Sequence, residues 1–232
     1  VSGIPDLASR IADVHERIAH AAARAGRDAG AVRLMAVTKT FPREVVEAAL
    51  AAGLVLFGEN RVAEAAAKYT GLTDSCELHL IGHLQRNKAA AAAGLFACVQ
   101  SIDKPETAAA LARRCEELDR RMDVLVEYNT SGEASKSGAT DRDGLLACLD
   151  AVRGMPALRL RGLMTVGPIG GDTLEVRRAF RLLARLFEEI RAERKPADFD
   201  TLSMGMSGDF EAAVEEGATL VRLGTALFGA RS

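Results

Sequence analysis

The chain has 232 residues, 48% of them hydrophobic and 27% charged, with a formal net charge of -2. That length can bury a sizeable core, the composition is globular, and the near balance of charge leaves no basic face for nucleic acid or an anionic membrane. No run approaches the roughly 18 uninterrupted apolar residues of a membrane span, the charged N-terminus is not organised as a signal peptide, and the four cysteines contain no CxxC pair, so a cytoplasmic protein with reduced structural thiols and no metal centre is expected.

Residues 1–26 predict a helix, with Leu7, Ile11, Val14 and Ile18 at three- or four-residue spacing between charges. After it, short runs rich in Val, Leu and Ile alternate with longer helical patterns. "VRLMAVTK" is followed by "PREVVEAALAAG", "LVLFGEN" by "RVAEAAAKY", and "LHLIGH" by "LQRNKAAAAAG". "ACVQSID" precedes "PETAAALARRCEELD", "DVLVEYN" precedes "DRDGLLACLDAVRG", and "LRLRGLMTV" precedes "TLEVRRAFRLLARLFEEIRAER". The series closes with "TLSMG" and "GDFEAAVEEG", then "LVRLGTALFG".

Near-continuous apolar strands separated by helices imply parallel pairing, with the helices covering the outer face. Eight such units in 232 residues point to an α/β fold, a closed (β/α)8 TIM barrel forming a single domain over 1–232, with the helix of 1–26 packed on it. The competing arrangement is an open doubly wound sheet. Its GxGxxG phosphate turn is absent, because "AVTKTFPRE" at the first strand contains no glycine.

Such a barrel gathers the C-terminal ends of its strands at one mouth, where sites are built. The residues at those ends are Lys39, Asn60, His83, Ser101 with Asp103, Asn129, Thr165, Ser203 with Gly205, and Arg222 with Gly224. Lys39 stands out because only six of the 30 basic residues are lysines. In an electropositive, partly desolvated site a lysine amine loses its proton, and the neutral form attacks an aldehyde to make a Schiff base. A lysine that snorkels or pairs with a carboxylate at the strand end is the alternative.

"LSMGMSGDFEAAVEEG" ends a strand and is expected to bring backbone close at Gly205 and Gly208, to place Ser207 in a turn, and to open a helix near Asp209. "VRLGTALFG" sets Gly224 and Thr225 just after the last strand. The loops after strands seven and eight, with a helix N-terminus, form the recurrent phosphate site of these barrels, since free N–H groups and the helix dipole attract an anion. Glycines that only turn tight corners are the alternative. A lysine facing a phosphate cup fits pyridoxal 5'-phosphate (PLP). Arg222 aimed at the pyridine nitrogen would keep that nitrogen unprotonated and the ring a poor electron sink, so the cofactor would be held without favouring carbanion chemistry. An arginine paired with a carboxylate at the mouth is the competing reading.

Taken in order, "MAVTKT", "FGENRVAEA", "HLIGHLQRNK", "SIDKPETA", "GEASKSG", "LRGLMTV" and "LSMGMSGDFEAAVEEGATLVRLGTALFGAR" resemble the pyridoxal phosphate homeostasis proteins from about residue 8 to the C-terminus. The resemblance implies a barrel like the N-terminal domain of alanine racemase, with PLP held as a Schiff base on Lys39 and a role in intracellular vitamin B6 balance without an established reaction. It further implies that Ser207, Gly224 and Thr225 hold the phosphate, that Arg222 meets the ring nitrogen, and that Asn60, His83, Met164, Ser203 and Met206 belong to the cofactor pocket. The chain departs from the family at Leu78, where an aromatic is common, and at Leu80, where Phe or Met is common. Both are expected in the core or at its rim.

Lys136, in the Gly/Ser-rich "SGEASKSGA", is a second lysine at the same mouth. It is expected either to gate cofactor entry and release from a mobile loop or to be a solvated loop lysine. His15 and His20 sit in the first helix, His79 is expected to be structural, and His83 either faces the site or is only hydrogen-bonded. Two functions remain: a PLP carrier that serves PLP-dependent apo-enzymes as a monomer, and a PLP-dependent amino-acid racemase of the alanine-racemase type. The racemase needs an acid or base on each face of the substrate carbanion, commonly the lysine and a tyrosine. Only Tyr69 and Tyr128 are available. Racemases of that type also carry a second, β-rich domain that this chain is expected to lack, which favours the carrier.

Overall fold

The computed structural model describes residues 6–133, 136–168 and 170–230. Eight parallel strands close on themselves in chain order: β1 (Arg33–Val37), β2 (Leu56–Glu59), β3 (Glu77–Leu80), β4 (Cys98–Ile102), β5 (Met122–Glu127), β6 (Leu158–Met164), β7 (Thr201–Ser203) and β8 (Leu220–Leu223). The barrel is sealed by β1 and β8, paired from Arg33↔Leu220 to Ala36↔Leu223. Its thinnest seam is β7 with β8, joined at Ser203↔Leu220. The expected TIM barrel is what the strands form.

Helices follow the strands and cover the outside. They are α1 (Leu7–Arg24) before the barrel, then α2 (Arg43–Ala51), α3 (Val62–Tyr69), α4 (Ala89–Leu95), α5 (Pro105–Glu117), α6 (Arg142–Arg153), α7 (Thr173–Arg194), α8 (Phe210–Glu215) and α9 (Thr225–Phe228). Their starts are readable. Pro105 opens α5, where a missing N–H costs nothing, and Asp172 with Glu175 forms a capping box at α7. Besides short 3-10 turns at Ala29–Ala31 and Thr73–Ser75, two further elements differ from the pattern. Arg86–Lys88 form a separate 3-10 turn before the alanine-rich α4, and α9 is a short extra helix that four residues are too few to announce by periodicity.

Strand side chains alternate between two environments, as period two requires. Leu34, Ala36, Phe57, Leu78, Leu80, Val99, Val124, Val126 and Leu163 join the main core between sheet and helices. Leu78 and Leu80 are therefore core residues, as expected of the two positions that depart from the family. The inward residues form two small apolar clusters, Met35, Val37, Leu56 and Leu220 in one and Cys98, Leu125 and Met164 in the other. The remaining interior is polar. Helix α1 buries Leu7, Val14, Ile18, Ala21 and Ala22, stacks Arg17 over the Phe210 ring of α8 at 4.6 Å, and is followed by Arg27, which donates to the Ala218 carbonyl at 2.9 Å.

All four cysteines are free thiols, three of them buried. Burial pushes Cys76 and Cys148 up to about 11, in keeping with inert structural thiols. Among the described residues no helix is long and apolar enough to cross a membrane.

Candidate functional site

β1 delivers Lys39 to the mouth through a turn in which Thr38 is buried, Lys39 half-buried and Thr40 exposed. Thr40 has φ 67, a left-handed conformation that a β-branched residue resists. The contacts that hold it come from α3 and β2. Glu64 accepts the Thr40 N–H at 2.5 Å, and buried Lys68 donates to the Thr38 carbonyl at 2.7 Å, to Glu59 at 2.8 Å and to Glu64 at 3.0 Å. Thr38 Oγ1 gives its one hydrogen to Glu59 at 2.7 Å, so the Tyr69 hydroxyl, 2.6 Å away, donates to Thr38. Burial raises the Glu59 carboxyl against the opposing pull of Lys68 and Thr38. Lys39 thus rides on a short, strained turn clamped from behind by a buried ion pair.

The facing wall comes from the ends of β7 and β8. Gly205 follows β7 at φ 93, and a Cβ there would lie 2.5 Å from the Ala213 Cβ of α8, so only glycine lets the chain turn so tightly over α8. Gly208 differs from expectation. No atom lies within 4 Å of where its Cβ would stand, so it is needed for no close approach within the protein and simply faces the cleft. Asp209 accepts the Met206 N–H at 2.5 Å and closes the loop. Ser207 Oγ accepts the N–H groups of Gly224 at 3.2 Å and Ala226 at 3.1 Å. Those amides belong to the opening of α9, the short extra helix on which barrels of this class build their phosphate site. Between the two walls lies a cleft of about 240 Å³ lined by Val37, Lys39, Ile81, Met206, Ser207, Gly208, Arg222, Gly224 and Thr225.

Arg222 forms part of the cleft while only 4% exposed. Its guanidinium donates to Ser203 Oγ and to the Thr165 carbonyl, each at 2.7 Å. Burial pulls it down to about 10, opposed by the negative charges of Glu127 and Asp209, so it stays cationic at neutral pH. The site therefore brings together an amine, a fixed cation and a pocket of backbone amides around Ser207.

A chain with these features has close relatives. The family model for the N-terminal domain of alanine racemase matches residues 13–232. The pyridoxal phosphate homeostasis protein of Pseudomonas aeruginosa is 44% identical over 226 residues, covering 97% of this chain and 96% of its own length. The chain belongs to the pyridoxal phosphate homeostasis protein family. A further family likeness is to PipY of Synechococcus elongatus PCC7942, solved with PLP bound: TM-score 0.83, 34% identity, 96% of this chain and all of that one (100%) covered. Alanine racemase of Bacillus anthracis shares the fold alone, at TM-score 0.70 and 18% identity, and the match spans 56% of that longer chain.

Not every residue that the family resemblance singled out lines the Lys39 cleft. Asn60 and His83 line a neighbouring pocket of about 450 Å³ with Arg61, Gly82, Gln85 and Lys88. It begins one residue beyond Ile81, where Gly82 packs against the Asn60 carbonyl so tightly that a Cβ would lie 2.3 Å from it. His83 is exposed and sits 3.5 Å from Asp103. Met164 is fully buried with Cys98 and Leu125 inside the barrel. Ser203 lies beneath Arg222, its hydroxyl engaged with Arg222 and Gln100. Lys136 is tied down rather than solvated, donating to Glu133 at 2.6 Å and to the Gly167 carbonyl at 2.9 Å with its side chain 13% exposed. A gating lysine would first have to release both contacts. The loop before it is pinned by Asn129, which accepts the Ser131 and Gly132 N–H groups.

Neither tyrosine lines the Lys39 cleft. Tyr69 is buried behind β1 against Thr38, and burial pushes its hydroxyl far above the usual phenol range. Tyr128 is bridged to Ala139. The reading from sequence alone missed Lys68, Glu59, Gln100 and Glu127. A carboxylate inside the apolar run "LVLFGEN" and the i,i+4 pair Glu64 and Lys68 were the available signals. Glu127 is buried with its carboxyl raised to about 7 by burial and the charge of Asp103, opposed by Arg222.

Proposed function

We propose that this chain binds pyridoxal 5'-phosphate in the Lys39 cleft and serves vitamin B6 homeostasis in the cytoplasm, holding the cofactor for PLP-dependent apo-enzymes as a monomer. The observation that carries the reading is the single cleft uniting the Lys39 amine, the Arg222 cation and the amide pocket of Ser207, Gly224 and Thr225. Each suits one part of PLP: an amine for its aldehyde, backbone donors for its phosphate, a cation for its ring nitrogen. When bound, PLP supplies a ring that stabilises an adjacent carbanion, most strongly when its nitrogen is protonated. Arg222, cationic and buried, disfavours a second positive charge beside it and so weakens that property. The clamp on Thr38 and Thr40 fixes the backbone from which Lys39 reaches the cleft, and the apolar side chains of Val37 and Ile81 line it.

The carrier reading is preferred to a racemase because a two-base racemase needs a second proton donor opposite the lysine, and Lys39 faces a wall of amides and an arginine. Adding PLP to the purified protein, recording its visible absorbance, reducing with borohydride and mapping the modified peptide tests the proposal. The expected result is an adduct on Lys39 that Lys39→Ala abolishes, with residual reversible binding through the phosphate pocket. A wild-type protein with no visible band and no adduct would sink it.

A further inference from the structure

Arg222 heads a hydrogen-bond chain that runs down the barrel interior, away from the mouth. Its Nη1 donates to Ser203 Oγ at 2.7 Å, and Ser203 donates to Gln100 Oε1 at 2.7 Å. Gln100 Nε2 and His79 Nδ1 are 2.8 Å apart, and His79 Nε2 is 2.7 Å from Glu77 Oε1. The directions follow from the guanidinium at one end and the orientation of the Gln100 amide, whose Oε1 accepts from Ser203. A guanidinium only donates, so Ser203 accepts from it and spends its single hydrogen on Gln100. That orients the Gln100 amide, with its carbonyl toward Ser203 and its NH2 toward His79. His79 Nδ1 must then accept, and the ring proton sits on Nε2, where it meets a carboxylate that also takes a hydrogen bond from Arg33 at 2.6 Å.

These residues are deep. Gln100 and Ser203 are 0% exposed and His79 4%, and none of the three lines the Lys39 cleft. Their chemistry is also selective. Arg222 is anchored by two neutral oxygens, of Ser203 and Thr165, while the carboxylate that terminates the chain, Glu77, stands four hydrogen bonds away. A contact carboxylate would hold the guanidinium equally well but would cancel its charge. A neutral relay fixes its position and leaves the charge to act on whatever occupies the cleft.

We infer that Ser203, Gln100 and His79 are positioning residues for Arg222, a one-directional relay that sets where its cationic face lies in the cleft. The inference rests on the reading of that cleft as a PLP site. It assigns Ser203 a role beneath the cofactor rather than against it, and gives His79, expected to be only structural, a defined Nε2–H tautomer.

The test uses the full-length protein with PLP and three readouts: the Lys39 adduct after borohydride, PLP affinity, and the pH midpoint of the visible band. Gln100→Leu and His79→Phe are expected to keep the Lys39 adduct, to weaken affinity by about three- to tenfold, the range of one lost hydrogen bond, and to move the midpoint in the same direction as Arg222→Gln. His79→Asn, whose Oδ1 can stand in for Nδ1 as the acceptor, is expected to stay near wild type in all three. The Arg222→Gln/Gln100→Leu double variant is expected to match Arg222→Gln alone. A folded Gln100→Leu with wild-type affinity and midpoint overturns the relay, as does an Arg222→Gln that binds on Lys39 with both values unmoved. Should Gln100→Leu fail to fold, Ser203→Ala, which deletes a single oxygen, is judged by the same criterion. Failure of the PLP reading shows separately, as a wild-type protein without an adduct, and removes the relay's target with it.

Discussion

At the scale of the residue, the mouth depends on a lysine that never enters it. Lys68 and Glu59, with side chains 6% and 0% exposed, sit behind the turn that carries Lys39 and hold Thr38 on one side of it, while Glu64, itself bonded to Lys68, holds the Thr40 N–H on the other. Removing one partner of such a pair leaves the other charge buried, at about 3–5 kcal/mol. Lys68→Met is therefore expected to lower stability by that amount in urea denaturation, and Glu59→Gln/Lys68→Met to recover most of it. Equal losses in the single and double variants would show that the side chains matter by packing alone. Lys39 was legible in the sequence because lysine is rare here and stands at the end of an apolar strand. Lys68 was not, because on an alanine-rich helix a lysine ordinarily reads as solvated, and only the closure of β1 against β2 and α3 desolvates it.

Among the elements, the middle of β6 is irregular and tightly constrained. Its pairing with β5 passes from Val124↔Leu160 to Leu125↔Gly162, so Arg161 bulges out of register. Arg161 thereby reaches Asp123 and Asp200. Gly162 has φ 156, and a Cβ on it would lie 1.8 Å from the Thr201 carbonyl oxygen. The neighbouring atom is backbone of β7, the shortest strand, and cannot swing aside as a side chain could. Gly162→Ala is expected to cost at least about 3 kcal/mol by forcing the two strands apart, read as a lowered urea midpoint. An unchanged midpoint would mean that β6 can shed its bulge freely. The strands and most helices were legible from periodicity. The bulge and α9 were not, since one displaced residue and one helical turn leave no periodic trace.

For the whole molecule, buried carboxyls in the interior set a pH dependence. Glu127 rises from 4.5 to about 7 on burial and facing Asp103, and Glu59 is also raised. A carboxyl raised in the folded state keeps a proton that the unfolded chain releases. Its contribution is fully present below the unfolded value and is lost as pH rises through the folded one. Stability is therefore expected to fall between about pH 4.5 and about pH 7, with Glu127 accounting for up to about 3 kcal/mol. Glu127→Gln should flatten that fall when urea unfolding is compared at the two ends of the window. A variant as pH-sensitive as wild type would place the titrating group elsewhere. The alternation of apolar runs with helical patterns determined the barrel by itself, because parallel strands buried on both faces need helical crossovers. It also determined the polar mouth, because strand ends in that fold converge, and so Lys39, Ser207, Arg222, Gly224 and Thr225 could be named together. Only the tertiary structure decided which mouth residues share a cleft, that Asn60 and His83 line the pocket beside it, and that Ser203 faces down to Gln100 and His79. Those outcomes depend on hydrogen-bond partners 19 to 103 residues apart in sequence, whose meeting is a matter of barrel register that no local pattern encodes.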